Sequence, residues 1–185
     1  MNTRTITAFL AITFLSFGLN AQTKAITNGV INWEGSKITT ESHVGTINIS
    51  KGALTFEDDA LTGGNFTVDM NSIVCTDLSE EYGARLVGHL ESDDFFGVAE
   101  HPEATLVFTS VTPSDEGYQI TGDFTIRGIT HSESFELKID NNTATADFEI
   151  DRSKYNVKFR SGSFFENLGD KLINDELKLR VSFTY

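Results

Sequence analysis

The chain of 185 residues contains a single cysteine, Cys75. No disulfide can form within it, so the fold must rest on a packed core, for which this length is ample. In an oxidising compartment such a thiol is either a small buried hydrophobe, the reading preferred here, or able to pair between chains in a homodimer. Long apolar runs are also scarce. After Gly18 nothing approaches the roughly 20 residues that a membrane-spanning helix needs. Cations are few, with 14 Lys and Arg against 27 Asp and Glu and a formal charge of −13. That balance repels nucleic-acid phosphates and anionic headgroups, and it speaks against nucleic-acid partners and permanent membrane insertion.

The motifs of common chemistries are missing as well. His43, His89, His101 and His131 are dispersed and never paired as H-x-H or H-E-x-x-H, so no metal is expected. His43 and His89 are read as hydrogen-bonded structural residues. There is no G-x-S-x-G, no phosphate-binding glycine loop and no dinucleotide fingerprint. The acidic pairs Asp58-Asp59, Glu80-Glu81 and Asp93-Asp94 do not make an acid–base couple. Neighbours on a strand point to opposite faces, and acidic loops are solvated.

What is present begins with a leader. Arg4 precedes a mostly apolar, uncharged run from Ile6 to Gly18, and Ala21 offers a small residue before a cut. This order predicts a signal peptide over residues 1–21 and one mature domain over 22–185, exported to the periplasm or secreted. No cysteine follows the run to accept a lipid.

Beyond the leader, apolar and polar residues alternate with the period of a half-buried strand. Phe66, Val68 and Met70 share one face, as do Phe124 and Ile126, Phe135, Leu137 and Ile139, and Phe148 and Ile150. The last segment is the clearest, with Leu177, Leu179, Val181, Phe183 and Tyr185 against Lys178, Arg180, Ser182 and Thr184. Strands are predicted near 25–34, 42–57, 60–72, 105–112, 117–128, 131–140, 143–155 and 176–185, with a bulge or bend near Lys51-Gly52. Many antiparallel strands with one dry face imply an all-β barrel or sandwich, and closure into a barrel removes exposed edges. One segment departs from this. Leu78, Tyr82, Leu86 and Leu90 recur every four residues, which predicts a helix over 77–90 capped by Asp77 or Ser79. A loop near 160–171 carries Phe164-Phe165. Of the 15 phenylalanines, those outside the leader fall mainly on inner strand faces, where they can fill a barrel or line a cavity.

Several stretches are identified together as resembling one family. They are Ser42-His43-Val44-Gly45-Thr46, the run Gly64 to Ile73, Leu86 to Phe96 (LVGHLESDDFF), His101 to Thr105, Thr121 to Thr130, and Phe148 to Arg152. In order and spacing they resemble the YceI-like proteins, exported lipocalin-like barrels that bind polyisoprenoid lipids. Where that family usually carries Phe, this chain has Leu106, with Phe108 two positions on and on the same strand face. The resemblance implies an eight-stranded antiparallel barrel with a short helical insertion and a long apolar channel, and it implies no catalytic residue and no cofactor. The channel wall is then expected at Phe66, Val68, Met70, Phe108, Phe124, Ile126, Phe135, Phe148 and Ile150, with Leu86, Leu90, Phe95 and Phe96 at the lid or mouth. Trp33, His43 and Arg152 are candidates for a ligand's polar head, although the acidic neighbour of Arg152 suits a structural ion pair. The expected function is carriage of an isoprenoid lipid. Behind it stand a filled structural or interaction barrel, and then an enzyme acting on an apolar substrate inside the barrel.

Overall fold

Period-two alternation produces strands that each have one apolar side, and such strands bury that side most completely by closing on themselves. The computed structural model describes residues 21–185. The leader expected over 1–21 lies, but for Ala21, outside the described residues. The strands are β1 (Ala21–Ala25), β2 (Asn28–Ser36), β3 (Ser42–Glu57), β4 (Ala60–Cys75), β5 (Glu103–Pro113), β6 (Tyr118–Ile126), β7 (Ile129–Asp140), β8 (Thr143–Asp151) and β9 (Glu176–Thr184), with one helix, α1 (Glu80–Glu91), between β4 and β5. All pairings are antiparallel. They run β3-β2-β9-β8-β7-β6-β5-β4, and β4 returns to β3 to close an eight-stranded barrel.

The segment predicted as one strand over 25–34 is two pieces. β2 pairs with the first half of β3 through Trp33↔Gly45, and β1 takes over beside the second half, from Ala25↔Ala53 to Ala21↔Glu57. The expected run to 155 also stops early. Asp151 accepts from the Ser153 N–H at 2.9 Å and turns the chain into a single 3-10 turn at Arg152–Tyr155. The bend expected near Lys51-Gly52 is a register shift between Ile49 and Lys51.

The hairpins follow from local chemistry. Asp58 and Asp59, and likewise Arg127 and Gly128, have positive φ and each pair joins two strands directly. A two-residue turn of that kind matches the right-handed strand twist, and the short polar side chain of Asp tolerates the left-handed region. The acidic pair at 58–59 is therefore a turn.

Helix α1 is rotated relative to its expected face. A spacing of four advances about 400°, some 40° beyond a full turn, so residues at this interval drift around the helix. Leu90 and Gly83 are buried while Tyr82 is exposed. At one end of the barrel Leu54, Leu61, Ile120 and Ala144 form a solid plug, each at most 4% exposed. The other end is rimmed by α1, the residues after it, the β2–β3 hairpin and the loop between β8 and β9.

Candidate functional site

The apolar faces of the strands do not meet in the middle. They enclose a cavity of about 360 Å³, within the range of small-molecule sites and far above the roughly 10–15 Å³ that one water needs. It descends from a mouth at Lys37, Glu41, His43 and Arg160 to Phe108, Leu137 and Phe183, just above the plug. The wall is almost wholly carbon.

Every residue assigned from sequence to a channel wall lies on this cavity. Phe66, Val68, Met70, Phe108, Phe124, Ile126, Phe135, Phe148 and Ile150 line the barrel, and Leu86, Leu90, Phe95 and Phe96 line its mouth side. The aromatic rings touch one another around the void. Phe135 stacks on Phe148 with centroids 4.8 Å apart, Phe124 meets both edge-on, and Phe66 bridges Phe108 and Phe183. Such contacts hold rings in place where there are no partner atoms on the cavity side. The sequence list omitted the opposite wall, made by Ile31 of β2, Ile47 and Ile49 of β3, and Leu177, Leu179 and Val181 of β9. These carry the same alternation and could have been found by it. Phe159 of the β8–β9 loop gave no periodic signal.

The three head-group candidates separate. Trp33 and His43 line the cavity, and Arg152 does not. Arg152 is 1% exposed, and its guanidinium donates to the carbonyls of Asn174, Val157, Phe159 and Ile173 at 3.0–3.1 Å. Asp175 lies 3.2 Å away as its counter-ion. Four of its five N–H donors fasten the β8–β9 loop and it does not reach the cavity, so it is a structural residue and the head-group assignment is corrected. Trp33 packs against Gly45, where a Cβ would fall 2.4 Å from the indole ring. Its Nε1 is buried without a hydrogen-bond partner, as is His89 Nε2. His89 sits edge-on between Phe159 and Phe95 and lines the mouth, so the hydrogen-bonded role expected of it is not seen.

At the rim, His43 Nδ1 lies 2.9 Å from Asp77 Oδ2, and the Cys75 thiol donates to Asp77 Oδ1 at 3.1 Å. Cys75 is half-buried rather than fully buried. Burial, and then its bond to Asp77, pushes its thiol pKa up. Burial also pushes the Asp77 carboxyl up, but hydrogen bonds from His43, Cys75 and the Val44 N–H outweigh it and hold the group at about 2. The carboxylate stands between thiol and imidazole. A nucleophile needs the base next to it, so this order does not activate the sulfur. Instead it ties β3 to the approach of α1. Among the described residues no cluster of His, Cys, Asp or Glu could hold a metal ion, and no helix is long and apolar enough to cross a membrane.

The sequence matches the family described as the YceI-like domain over residues 12–185. The chain belongs to the YceI-like family. Among curated YceI-type relatives, protein YceI of Escherichia coli is 29% identical over 140 residues, covering 71% of this chain and 72% of that protein. A UPF0312 protein of Pectobacterium carotovorum is 32% identical over 97 residues, and that match spans 51% of this chain and just 47% of the relative. Solved structures share the fold. Burkholderia cenocepacia BcnA superposes with a TM-score of 0.61 at 18% identity, covering 85% of this chain and 96% of BcnA. A polyisoprenoid binding domain from Saccharophagus degradans, implicated in plant cell wall breakdown, gives 0.55 at 11% identity, with 90% and 99% covered. The YceI-like barrel expected from the sequence is the fold observed.

Proposed function

We propose that the protein is an exported, non-catalytic carrier of a long isoprenoid lipid held in the barrel cavity. The observation that supports this most is the cavity itself, about 360 Å³ walled by apolar side chains and open at one end. The solved domain of the same fold that is described as polyisoprenoid binding adds to it. Export rests on the leader features of residues 1–21, and a periplasmic or secreted location follows from them.

Energetics favour a long chain. Burial contributes roughly 0.8 kcal/mol per methylene-sized group, so each five-carbon isoprene unit gains about 4 kcal/mol at most. Association costs on the order of 4–15 kcal/mol. One or two units barely offset that cost, while four or more leave a surplus. Contacts of this kind have no direction, so depth and width of the cavity set selectivity. A polar head would rest at the mouth, near Trp33 and His43. Of the two cations at the mouth, Lys37 is already neutralised by Glu41 and Arg160 is left for a polar or anionic head.

The test is native mass spectrometry of protein purified without detergent, followed by uptake of polyprenols of graded length from solubilised stocks. Co-purified lipid, or uptake rising with chain length, is expected. Absence of both overturns the carrier reading and leaves a structural barrel.

A further inference from the structure

An isoprenoid long enough to bind well is also too apolar to cross water freely, so the cavity mouth must meet the lipid where the lipid resides. On the carrier reading above, one surface beside the mouth fits that task. We propose that the tip of the β8–β9 loop, Phe164-Phe165, is a docking element for a phospholipid bilayer surface.

Four observations support this. Phe164 is 43% exposed and Phe165 50% exposed, among the few large apolar side chains left in solvent. The tip that carries them is held, not slack. The main-chain N–H groups of Phe164 and Phe165 both donate to the carbonyl of buried Ser161, at 3.2 and 3.0 Å. The hydroxyls of Ser161 and Ser163 both donate to Asp175 Oδ2, at 2.8 and 2.7 Å. Asp175 is in turn the counter-ion of Arg152. A fixed pedestal that presents two phenyl rings to water gains nothing from them unless a partner covers them.

The tip also adjoins the mouth. Arg160 and Ile173 of the same loop line the cavity, and the Ile38 N–H donates to the Leu172 carbonyl at 3.1 Å. That contact joins the loop to the β2–β3 hairpin, whose Ile38 is itself 59% exposed.

The loop is less acidic than the chain as a whole. Lys158, Arg160 and Lys171 have no carboxylate within ion-pairing distance among the described residues. Lys24, Lys51 and Arg127 are likewise in no ion pair, whereas Lys138, Lys154, Lys178 and Arg180 are each paired. The loop holds five cations, Arg152, Lys154, Lys158, Arg160 and Lys171, against three carboxylates, Glu166, Asp170 and Asp175, in a chain of charge −13, and Asp93 and Asp94 border Lys158 and Arg160 from outside it. Lys158 Nζ lies 5.1 Å from the Phe164 ring centroid. Exposed aromatics beside lysines suit the headgroup region, where rings enter the interface and cations meet anionic lipid. Anchoring of this strength is shallow and reversible, as delivery requires.

The experiment is co-sedimentation of the purified protein with vesicles of phosphatidylcholine alone and with phosphatidylglycerol added. Binding is expected to be stronger with phosphatidylglycerol and to weaken with salt. F164S/F165S should lower vesicle partitioning by about tenfold or more, and K158S/K171S should lower it only on the anionic vesicles. Circular dichroism melts check that the variants fold, and the single F165S serves should the double variant fail. Uptake of a polyprenol from detergent micelles, read by native mass spectrometry, should be unchanged in F164S/F165S. Vesicle binding without polyprenol uptake supports docking while removing the carrier reading. Wild-type protein that ignores both vesicles, or binding that F164S/F165S leaves intact, overturns the proposal. So does a dimer in solution that this variant dissociates without any vesicle binding.

Discussion

Ala146 offers a direct probe of whether the barrel holds a usable void. It lies on the inner face of β8, is 4% exposed, and is one of the smallest side chains on the cavity wall. Ala146→Phe would place a six-carbon ring into that space. In a solid core such an insertion forces neighbours off their rotamers and costs about 1–3 kcal/mol, occasionally more. In a void the ring instead gains burial of about 1.5–3 kcal/mol, which offsets most of the crowding. Net stability of the lipid-free protein should then change by less than about 1 kcal/mol. The ring also occupies the volume of roughly one isoprene unit, whose burial is worth about 4 kcal/mol at most, so polyprenol affinity should fall by around a hundredfold or more. Urea denaturation of lipid-free protein and native mass spectrometry with one polyprenol supply the two readouts. A loss of 3 kcal/mol or more with lipid uptake untouched would refute both the void and its use.

Other residues give independent checks. Arg152→Met strands four carbonyls and the Asp175 carboxylate and should cost about 3–5 kcal/mol, with new protease cleavage in the β8–β9 loop; a cost below 1 kcal/mol contradicts the fastening role. The Tyr155 hydroxyl is buried without a partner, so Tyr155→Phe should be neutral or stabilising by about 1 kcal/mol. Burial raises this phenol from 10.0 to about 12. Its folded pKa is above its unfolded one, so the wild type keeps that stability below pH 10 and loses it as pH rises towards 12, a slope that Tyr155→Phe should lack in alkaline unfolding. Asp77 is displaced the other way, from 3.8 to about 2. Its contribution is complete above the unfolded value and disappears as pH falls to about 2. Urea midpoints of wild type and Asp77→Asn should therefore converge through that acid window, and a gap constant with pH would exclude the hydrogen-bonded carboxylate as its source.

The strands were legible in the sequence because the core imposes a period of two on any half-buried strand, and the clearest case, Leu177 to Tyr185, forms β9. Interruptions were less visible. The break at Ile26-Thr27 is a handover between two partners along β3, which only the assembled barrel defines. The face of α1 was misjudged because a spacing of four drifts, and Tyr82 drifts out. Arg152 illustrates the harder limit. Its partners are main-chain carbonyls, which every residue has, so no pattern of side chains announces them. The void is of the same kind. Phe66, Phe124 and Phe135 face inward by alternation in either a filled or an open barrel, and only the summed shapes of opposite walls decide between them.

The plug of Leu54, Leu61, Ile120 and Ala144 makes the barrel a blind tube. Whatever enters must leave by the same opening, last in and first out. An isoprenoid that goes in tail first keeps its polar end beside the rim throughout, ready to be handed over before the tail is withdrawn. A blind tube is also a ruler. On the carrier reading, tails shorter than its depth leave space at the plug and longer ones leave carbon in solvent at the mouth, so the position of Phe183 and Leu137 would set the preferred chain length.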